Sequence, residues 1–215
     1  MTLNGLIYKV QDYQESSKLL YVYTKEGKFT LVSKGSKKYQ NPNHHLSDYL
    51  MMISSDIKLD KPIQTLKKAS LISDYPHLKE SYETLKKTAI ILKAIDLLIT
   101  PDLPHERLFN LIEGLLERDD AHLSSLTFMI KLTYALGYEL TFTTEKPIGF
   151  SLNLGRTVSM EEGHLKTLDL LETSYLQKLY YLKHEDIEVP KEILHKLTAF
   201  IKTYYMHHMD YKISF

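Results

Sequence analysis

The sequence of 215 residues contains no cysteine, which excludes disulfide bonds and thiolate metal sites. It also lacks an apolar run near the ~20 residues that span a bilayer. The opening segment MTLNGLIYKVQDY turns polar too early for the core of a signal peptide. The composition, 43% hydrophobic and 25% charged, is that of an ordinary folded protein. Because no targeting or membrane-spanning segment stands out, we expect a cytoplasmic location by default.

The motifs that mark common enzyme sites are missing as well. Neither G-x-x-x-x-G-K-[ST] nor G-x-G-x-x-G occurs, and there is no G-x-S-x-G nucleophile elbow. The paired acids Asp119-Asp120 and Glu161-Glu162 are expected at helix starts, where the helix dipole favours them. We therefore predict no enzymatic activity, no cofactor and no metal site. The histidines considered for such roles are His44, His45, His184, His195, His207 and His208.

The net charge of zero conceals an asymmetry along the chain. Residues 1–80 hold twelve lysines and eight acidic residues, and residues 81–215 hold fifteen basic and nineteen acidic residues. The first part therefore carries a charge of +4 and the second a charge of −4. A basic first part indicates a polyanionic partner, although such an imbalance also arises by chance.

The first 72 residues predict a small β domain. Short runs rich in β-branched and aromatic residues are separated by turn signals, among them Lys25-Glu26-Gly27-Lys28, where Gly27 supplies a positive φ. Five strands at such short spacing favour a closed barrel or a sandwich. The predicted strands cover residues 3–10, 18–24, 28–34, 49–59 and 64–72.

After Tyr75-Pro76 the apolar residues follow helical spacing. Residues 138–160 lose that period and predict a short irregular or hairpin insert. We therefore predict an α+β protein with a β domain at 1–75 and a helical domain at 76–215. The predicted helices cover residues 78–99, 104–117, 121–137, 161–172, 173–182 and 190–209.

A lysine cluster in SKGSKKYQN is the main candidate site. A five-stranded barrel with a basic, aromatic face is the general form of an OB-fold that binds single strands, with lysines near phosphates and rings stacked on bases. Tyr21 and Tyr23 alternate onto one strand face, where they are either stacking platforms or ordinary core residues. Lys67-Lys68 is either a nucleic-acid contact or a charge that protects a sheet edge. The candidate DNA-binding residues are Lys9, Lys18, Lys34, Lys37, Lys38 and Tyr39.

The segment GLIYKVQDYQESSKLLYVYTKEGKFTLVSKGSKK resembles the start of the bacterial RecO family of recombination mediators. Matching positions are Gly5, Tyr13, Glu15, Lys18, Leu19, Thr24 and Gly27, followed by SKGSKK at the family's lysine-glycine motif. Later matches are Gly137-Tyr138 and, near the end, His208 and Lys212. Three features depart from the family. The insert at about 138–160 has no cysteine where many relatives carry a four-cysteine zinc module, the proline expected after Gly137-Tyr138 is absent, with Leu140 nearby, and Asp210 replaces a glycine.

The resemblance implies an N-terminal OB-fold followed by a helical domain, and a role in DNA repair. It implies that the protein binds single- and double-stranded DNA and anneals complementary strands. With RecR it would help load RecA onto DNA coated by single-stranded DNA-binding protein (SSB). It also implies that Lys34, Lys37 and Lys38 contact DNA in a protein without cofactor-driven chemistry.

Three further hypotheses remain open from the sequence. Lys131, beside Phe128 and Met129, either binds the acidic tail of SSB or flanks ordinary core residues. The whole protein is alternatively an interaction adaptor whose barrel no longer binds DNA, or a hydrolase that uses its histidines. The sequence gives neither the oligomeric state nor the RecR contact residues, nor whether RecF is involved.

Overall fold

The computed structural model describes residues 1–181 and 187–215, and its elements confirm the predicted α+β class. The candidate His184 and the predicted helix end at residue 182 lie outside the described residues. The strands are β1 (Thr2–Tyr13), β2 (Ser17–Thr24), β3 (Gly27–Ser33), β4 (Met51–Asp56), β5 (Ile63–Thr65), β6 (Ser70–Ser73), β7 (Gly149–Ser151) and β8 (Arg156–Val158). The α-helices are α1 (Tyr82–Leu98), α2 (His105–Leu116), α3 (Ala121–Ala135), α4 (Leu170–Tyr181) and α5 (Lys191–Met209).

The chain divides into two compact units. Unit 1 comprises residues 1–82 and 91–119, and unit 2 comprises residues 83–90 and 120–215. Helix α1 therefore contributes its second half to unit 1 and its first half to unit 2. The functional division at residue 75 stays a prediction.

Unit 1 is built on a six-stranded sheet in the order β5-β3-β2-β1-β4-β6. The predicted turn between β2 and β3 is confirmed, because Gly27 adopts φ +120°, a conformation that disfavours residues with a Cβ. Thr24 fixes this turn: its Oγ1 donates to the Gly27 carbonyl oxygen (3.1 Å) and accepts from the Glu26 N–H (3.1 Å). Strand β1 pairs with β2 from Gly5 to Tyr13 and with β4 from Thr2 to Ile7.

The sheet curls around its own apolar side chains. A register shift in β1 between Ile7 and Lys9 marks a bulge, and bulges increase the local bend and twist of a strand. Apolar residues of β1–β4 point inwards and pack against Ile57, which follows β4, and Leu66, which follows β5. One curved sheet therefore encloses a core. This core consists of Leu3, Ile7, Leu20, Val22, Phe29, Leu31, Ile53, Ile57 and Leu66.

The predicted five-stranded closed barrel is wrong in its last strand. Residues 64–72 do not form one strand, because Lys68 adopts φ +48° and interrupts the extended backbone. The segment forms β5, parallel to β3, and β6, antiparallel to β4, and the sheet ladder stays open between them. The residues between them still bond to both neighbouring strands: the Leu66 N–H donates to the Val32 oxygen (3.0 Å), and the Lys67 oxygen accepts from the Asp56 N–H (3.2 Å).

Unit 2 is mainly helical, as predicted. Helix α3 begins where the paired acids predict, because the Asp120 side chain accepts from the Leu123 N–H (2.9 Å) and caps the helix. Most of α3 is buried, and the Tyr205 hydroxyl of α5 donates to the Met129 oxygen of α3 (2.8 Å). The predicted insert contains a short hairpin formed by β7 and β8.

The predicted helices at 161–172 and 173–182 are wrong as a pair. Residues 163–165 form only a 3₁₀ turn, and Leu168 exchanges two backbone hydrogen bonds with Phe150 of β7 (both 3.0 Å). Helix α4 then begins at Leu170 with a capping box, in which the Asp169 carboxylate accepts from the Glu172 N–H (2.8 Å) and the Glu172 carboxylate accepts from the Asp169 N–H (2.9 Å). Pairing with the hairpin thus overrides the helical pattern of the sequence.

Candidate nucleic-acid interface

The lysine loop, residues 34–39, is held firmly in unit 1. Gly35 adopts φ +68°, which lets the chain turn directly after β3, and its N–H donates to the Ser17 Oγ (3.2 Å). The Lys37 N–H donates to the Ser16 oxygen (2.9 Å), and the buried Ser36 Oγ donates to the Ser33 oxygen (2.8 Å). The loop therefore presents its side chains from a defined backbone.

Three residues of this loop point into solvent. Lys34 and Lys38 are exposed, and within residues 1–181 and 187–215 no carboxylate forms an ion pair with either. The Tyr39 side chain is 86% exposed, and its ring lies edge-on to the His44 ring at 5.5 Å. Two ammonium groups beside an accessible ring can contact a phosphate backbone and an unstacked base.

Lys37 is partly engaged within the protein. Its Nζ lies 3.1 Å from an Asp12 carboxylate oxygen and donates to the Gln14 oxygen (3.3 Å). The Asp12 side chain is 76% exposed, and exposed ion pairs contribute only about 0–1 kcal/mol. A phosphate can therefore compete with Asp12 for this lysine.

Lys18 and Lys9 are occupied elsewhere. The half-buried Lys18 donates from Nζ to the Ser47 oxygen (2.9 Å) and so anchors the chain that follows the lysine loop. The Lys9 Nζ lies 2.8 Å from an Asp96 carboxylate oxygen of α1, and this hydrogen bond raises the pKa of Lys9. The structure therefore groups Lys34, Lys37, Lys38 and Tyr39 on one loop and places Lys9 against an acid.

Asp96 is the residue of this region that the sequence could not reveal. It is 87 positions from Lys9, and nothing in the local pattern connects the two. Its backbone oxygen also accepts from the Lys28 Nζ (3.1 Å). Only the tertiary structure shows that two lysines of the sheet are turned towards α1.

The two strand tyrosines differ in their roles. Tyr23 is fully buried, with its ring 5.7 Å from the His105 ring and 6.1 Å from the Phe109 ring of α2, so a base-stacking role for Tyr23 is wrong. Burial also raises the pKa of its hydroxyl. Tyr21 is half-buried; its hydroxyl donates to Gln11 (3.0 Å), and the Lys9 Nζ lies 5.2 Å from its ring centroid.

The surroundings of Lys131 bear on the two alternatives that the sequence left open for it. Phe128 and Met129 are fully buried, which confirms the alternative that they belong to the core. The Lys131 Nζ donates to the Tyr180 oxygen (2.8 Å), and burial lowers the pKa of this lysine. These two apolar side chains therefore give no surface for the tail of a partner protein.

Several of the candidate metal and acid residues have structural partners. Of the residues described, no three histidines or acids lie close enough together to hold a metal ion. His208 Nε2 lies 2.8 Å from the Leu152 oxygen, and His44 Nδ1 lies 2.8 Å from the Ser36 oxygen. Glu162 pairs with Arg156 (2.7 Å), which holds the pKa of the Glu162 carboxyl below its usual value.

In the part of the chain that is described, no helix has the length and apolarity needed to cross a membrane.

Comparison with known proteins relates the chain to one family. Residues 1–75 match the family model described as Recombination protein O N terminal. The chain is 27% identical over 146 residues to the DNA repair protein RecO of Clostridium kluyveri, a match covering 64% of this chain and 56% of that protein. It is 25% identical over 144 residues to RecO of Caldicellulosiruptor bescii (65% of this chain and 59% of that protein).

RecO of Geobacter metallireducens is 23% identical over 164 residues, which cover 68% of this chain and 67% of that protein. The matches thus span less than two thirds of the Clostridium kluyveri and Caldicellulosiruptor bescii proteins. The domain match and the similar proteins agree with the motifs in the first 38 residues, and the predicted resemblance is confirmed: the chain is similar to the RecO proteins, and its residues 1–75 match the model of their N-terminal domain.

Proposed function

We propose that this protein is a DNA-binding recombination mediator that acts in DNA repair. The observation that carries the proposal is the lysine loop, where Lys34 and Lys38 extend from a fixed backbone beside the exposed Tyr39. The N-terminal domain match and the names of the relatives support the assignment. Lys37 contributes once a phosphate replaces Asp12.

We further propose that the curled sheet of unit 1 functions as an OB-fold. Residues 63–73 take the place of its fifth strand, since this segment bonds to β3 on one side and to β4 on the other. The interruption at Lys68 divides this segment into β5 and β6, and both stay paired with the curled sheet. In this arrangement the lysine loop lies directly after β3 and is available to a single strand.

The proposed mechanism is strand annealing. Two polyanions approach each other more easily when lysines replace their diffuse counterions. The exposed side chains of the loop contact a strand without enclosing it, so its bases stay accessible to a complementary strand. Modest affinity that falls with salt suits this role.

The partners follow from the same proposal. They are single- and double-stranded DNA, RecR, and DNA coated by SSB, on which the protein would help load RecA. The protein would act without catalysis, near the nucleoid in the cytoplasm.

The test is a titration of fluorescent oligo(dT) by anisotropy over a range of salt concentrations. The variant Lys34→Ala/Lys37→Ala/Lys38→Ala should flatten the slope of log K against log salt by about two, at about 0.7 per lost phosphate contact. The matched control removes three other exposed lysines, in Lys25→Ala/Lys93→Ala/Lys191→Ala, and should keep the parent slope.

The outcomes separate the candidate functions. An unchanged slope in the loop variant would exclude these lysines as DNA contacts. No salt-dependent binding by the parent would favour the interaction adaptor. Strand annealing on SSB-coated oligonucleotides then tests the mediator role itself.

A further inference from the structure

A second cationic surface lies in unit 1, at a cleft beside β5. The cleft has a volume of about 490 Å³, which lies within the usual range for small-ligand sites. Its wall includes Lys58, Lys61 and Lys67, whose side chains are exposed. Among the residues that the structure describes, no carboxylate pairs with these three ammonium groups.

The acids near the cleft do not neutralise it. Asp56 is on its wall, but its carboxylate accepts from the Thr2 hydroxyl (2.8 Å) and pairs with Lys68 (3.2 Å), which is not part of the wall. Asp60 lies exposed in the loop between β4 and β5 and does not line the cleft. The cleft therefore keeps an excess of positive charge.

The loop that carries Lys58 and Lys61 is held by one side chain. The Gln64 Oε1 accepts from the Lys58 N–H (2.9 Å), and its Nε2 donates to the Lys58 oxygen (3.1 Å) and the Lys61 oxygen (2.9 Å). Three hydrogen bonds from one amide give this exposed loop a fixed backbone. Two lysines are thus presented to the cleft from a defined position.

Strand β5 connects the cleft to the lysine loop. Because β5 runs parallel to β3, with Thr65 opposite Val32, Lys67 and Lys34 follow the same end of the two strands. Lys61 lies near the other end, where the Pro62 oxygen accepts from the Thr30 N–H (2.7 Å). Lys34 follows Thr30 by four residues, so Lys61 at one end of β5 and Lys34 at the other are about 13 Å apart along the strand direction, at about 3.3 Å per strand residue.

The chemistry of the wall favours a nucleic-acid strand over an acidic peptide. The three cations are lysines, which bind phosphate as point charges, whereas planar bidentate recognition of carboxylates favours arginine. Ile63 also lines the cleft, and its side chain is 66% exposed, so it offers an apolar surface to a sugar or a base.

We propose that a single strand bound at the lysine loop continues along β5 and places phosphates in the cleft of Lys58, Lys61 and Lys67. This inference rests on the proposed DNA-binding function and adds a second contact point to it. Gln64 is a positioning residue, since it acts by holding the loop of Lys58 and Lys61.

The test compares variants of the full chain in oligo(dT) titrations over salt. Lys58→Gln/Lys61→Gln/Lys67→Gln should reduce the slope of log K against log salt by about two, at about 0.7 per phosphate contact. The control Lys25→Gln/Lys93→Gln/Lys191→Gln removes the same charge and should keep the parent slope. Gln64→Ala should weaken binding several-fold at unchanged net charge, and thermal unfolding verifies that each variant is folded.

Each outcome decides between the two proposals. If the cleft variant matches its control while the lysine-loop variant loses affinity, the second contact is refuted and DNA binding stands. If the parent does not bind oligo(dT), the proposed function itself fails. If an acidic peptide binds the parent and not the cleft variant, while both bind oligo(dT) equally, the cleft serves a protein partner and the inference is overturned.

Discussion

Asp12 provides the sharpest test of the lysine loop, because its removal should strengthen DNA binding. Asp12→Asn takes away the carboxylate that lies 3.1 Å from the Lys37 Nζ. The amide has nearly the same size but no charge, so Lys37 is released and a negative charge near the phosphates is lost. Most substitutions at a binding surface weaken binding, so an increase in the affinity for DNA is informative.

The expected magnitude follows from the exposure of the pair. Two unit charges about 4 Å apart interact by about 1 kcal/mol in water. The Asp12 side chain is 76% exposed and the Lys37 side chain 28% exposed, so solvent weakens the pair towards the usual 0–1 kcal/mol. A strand that no longer competes with Asp12 gains at most about 1 kcal/mol, which corresponds to an increase in affinity of up to about fivefold.

The assay is the oligo(dT) titration at low salt, where surface charges are least screened. The control Asp74→Asn removes an exposed acid outside the lysine loop and its contacts. The double variant Asp12→Asn/Lys37→Gln should lose the gain, because the benefit depends on the released lysine. Weaker binding by Asp12→Asn, or an equal gain in Asp74→Asn, would refute this account of Lys37.

Two further predictions concern stability. The pKa of Glu162 is lowered in the folded protein by its hydrogen bond and ion pair with Arg156. The ionised Glu162 therefore stabilises the fold above its unfolded pKa of about 4.3, and this contribution is lost as pH falls through the folded pKa. The melting temperature of the parent should therefore fall more steeply than that of Glu162→Gln below about pH 5, and parallel curves would contradict this. Asp210 follows the last residue of α5 at φ +51°, a conformation in which glycine carries no Cβ penalty. Asp210→Gly should therefore raise the free energy of unfolding, measured in denaturant titrations, by about 1 kcal/mol. A loss of stability would show that the Asp210 side chain matters more than its backbone conformation.

The departures of this chain from the RecO pattern have structural counterparts. Where many relatives are expected to carry a zinc module, this chain has the hairpin of β7 and β8, with Arg156 of β8 bound to Glu162. Phe150 of β7 is fully buried and packs edge-on against the Phe200 ring of α5 at 5.7 Å. Apolar packing and an ion pair thus hold the region where the sequence lacks cysteines.

The sequence determined the features that depend on near neighbours. Short runs rich in β-branched and aromatic residues predicted β1–β4, and Gly27 predicted the turn between β2 and β3, because both depend on a few adjacent residues. The acid at position 120 predicted the start of α3 for the same reason. The composition of SKGSKK also predicted a cluster of lysines in a loop, and Lys34 and Lys38 of that loop are exposed.

Only the tertiary structure decided which lysines keep their charge available. Lys9 and Lys34 look alike in the sequence, yet Lys9 meets Asp96 of α1 and Lys34 extends into solvent. Residues 64–72 form parts of two strands instead of one because β3 and β4, which are distant in sequence, pair with different parts of this segment. Long-range contacts of this kind arise only when the chain folds, because the pairing of two charges or two strands depends on their separation in space and not on their spacing in the sequence.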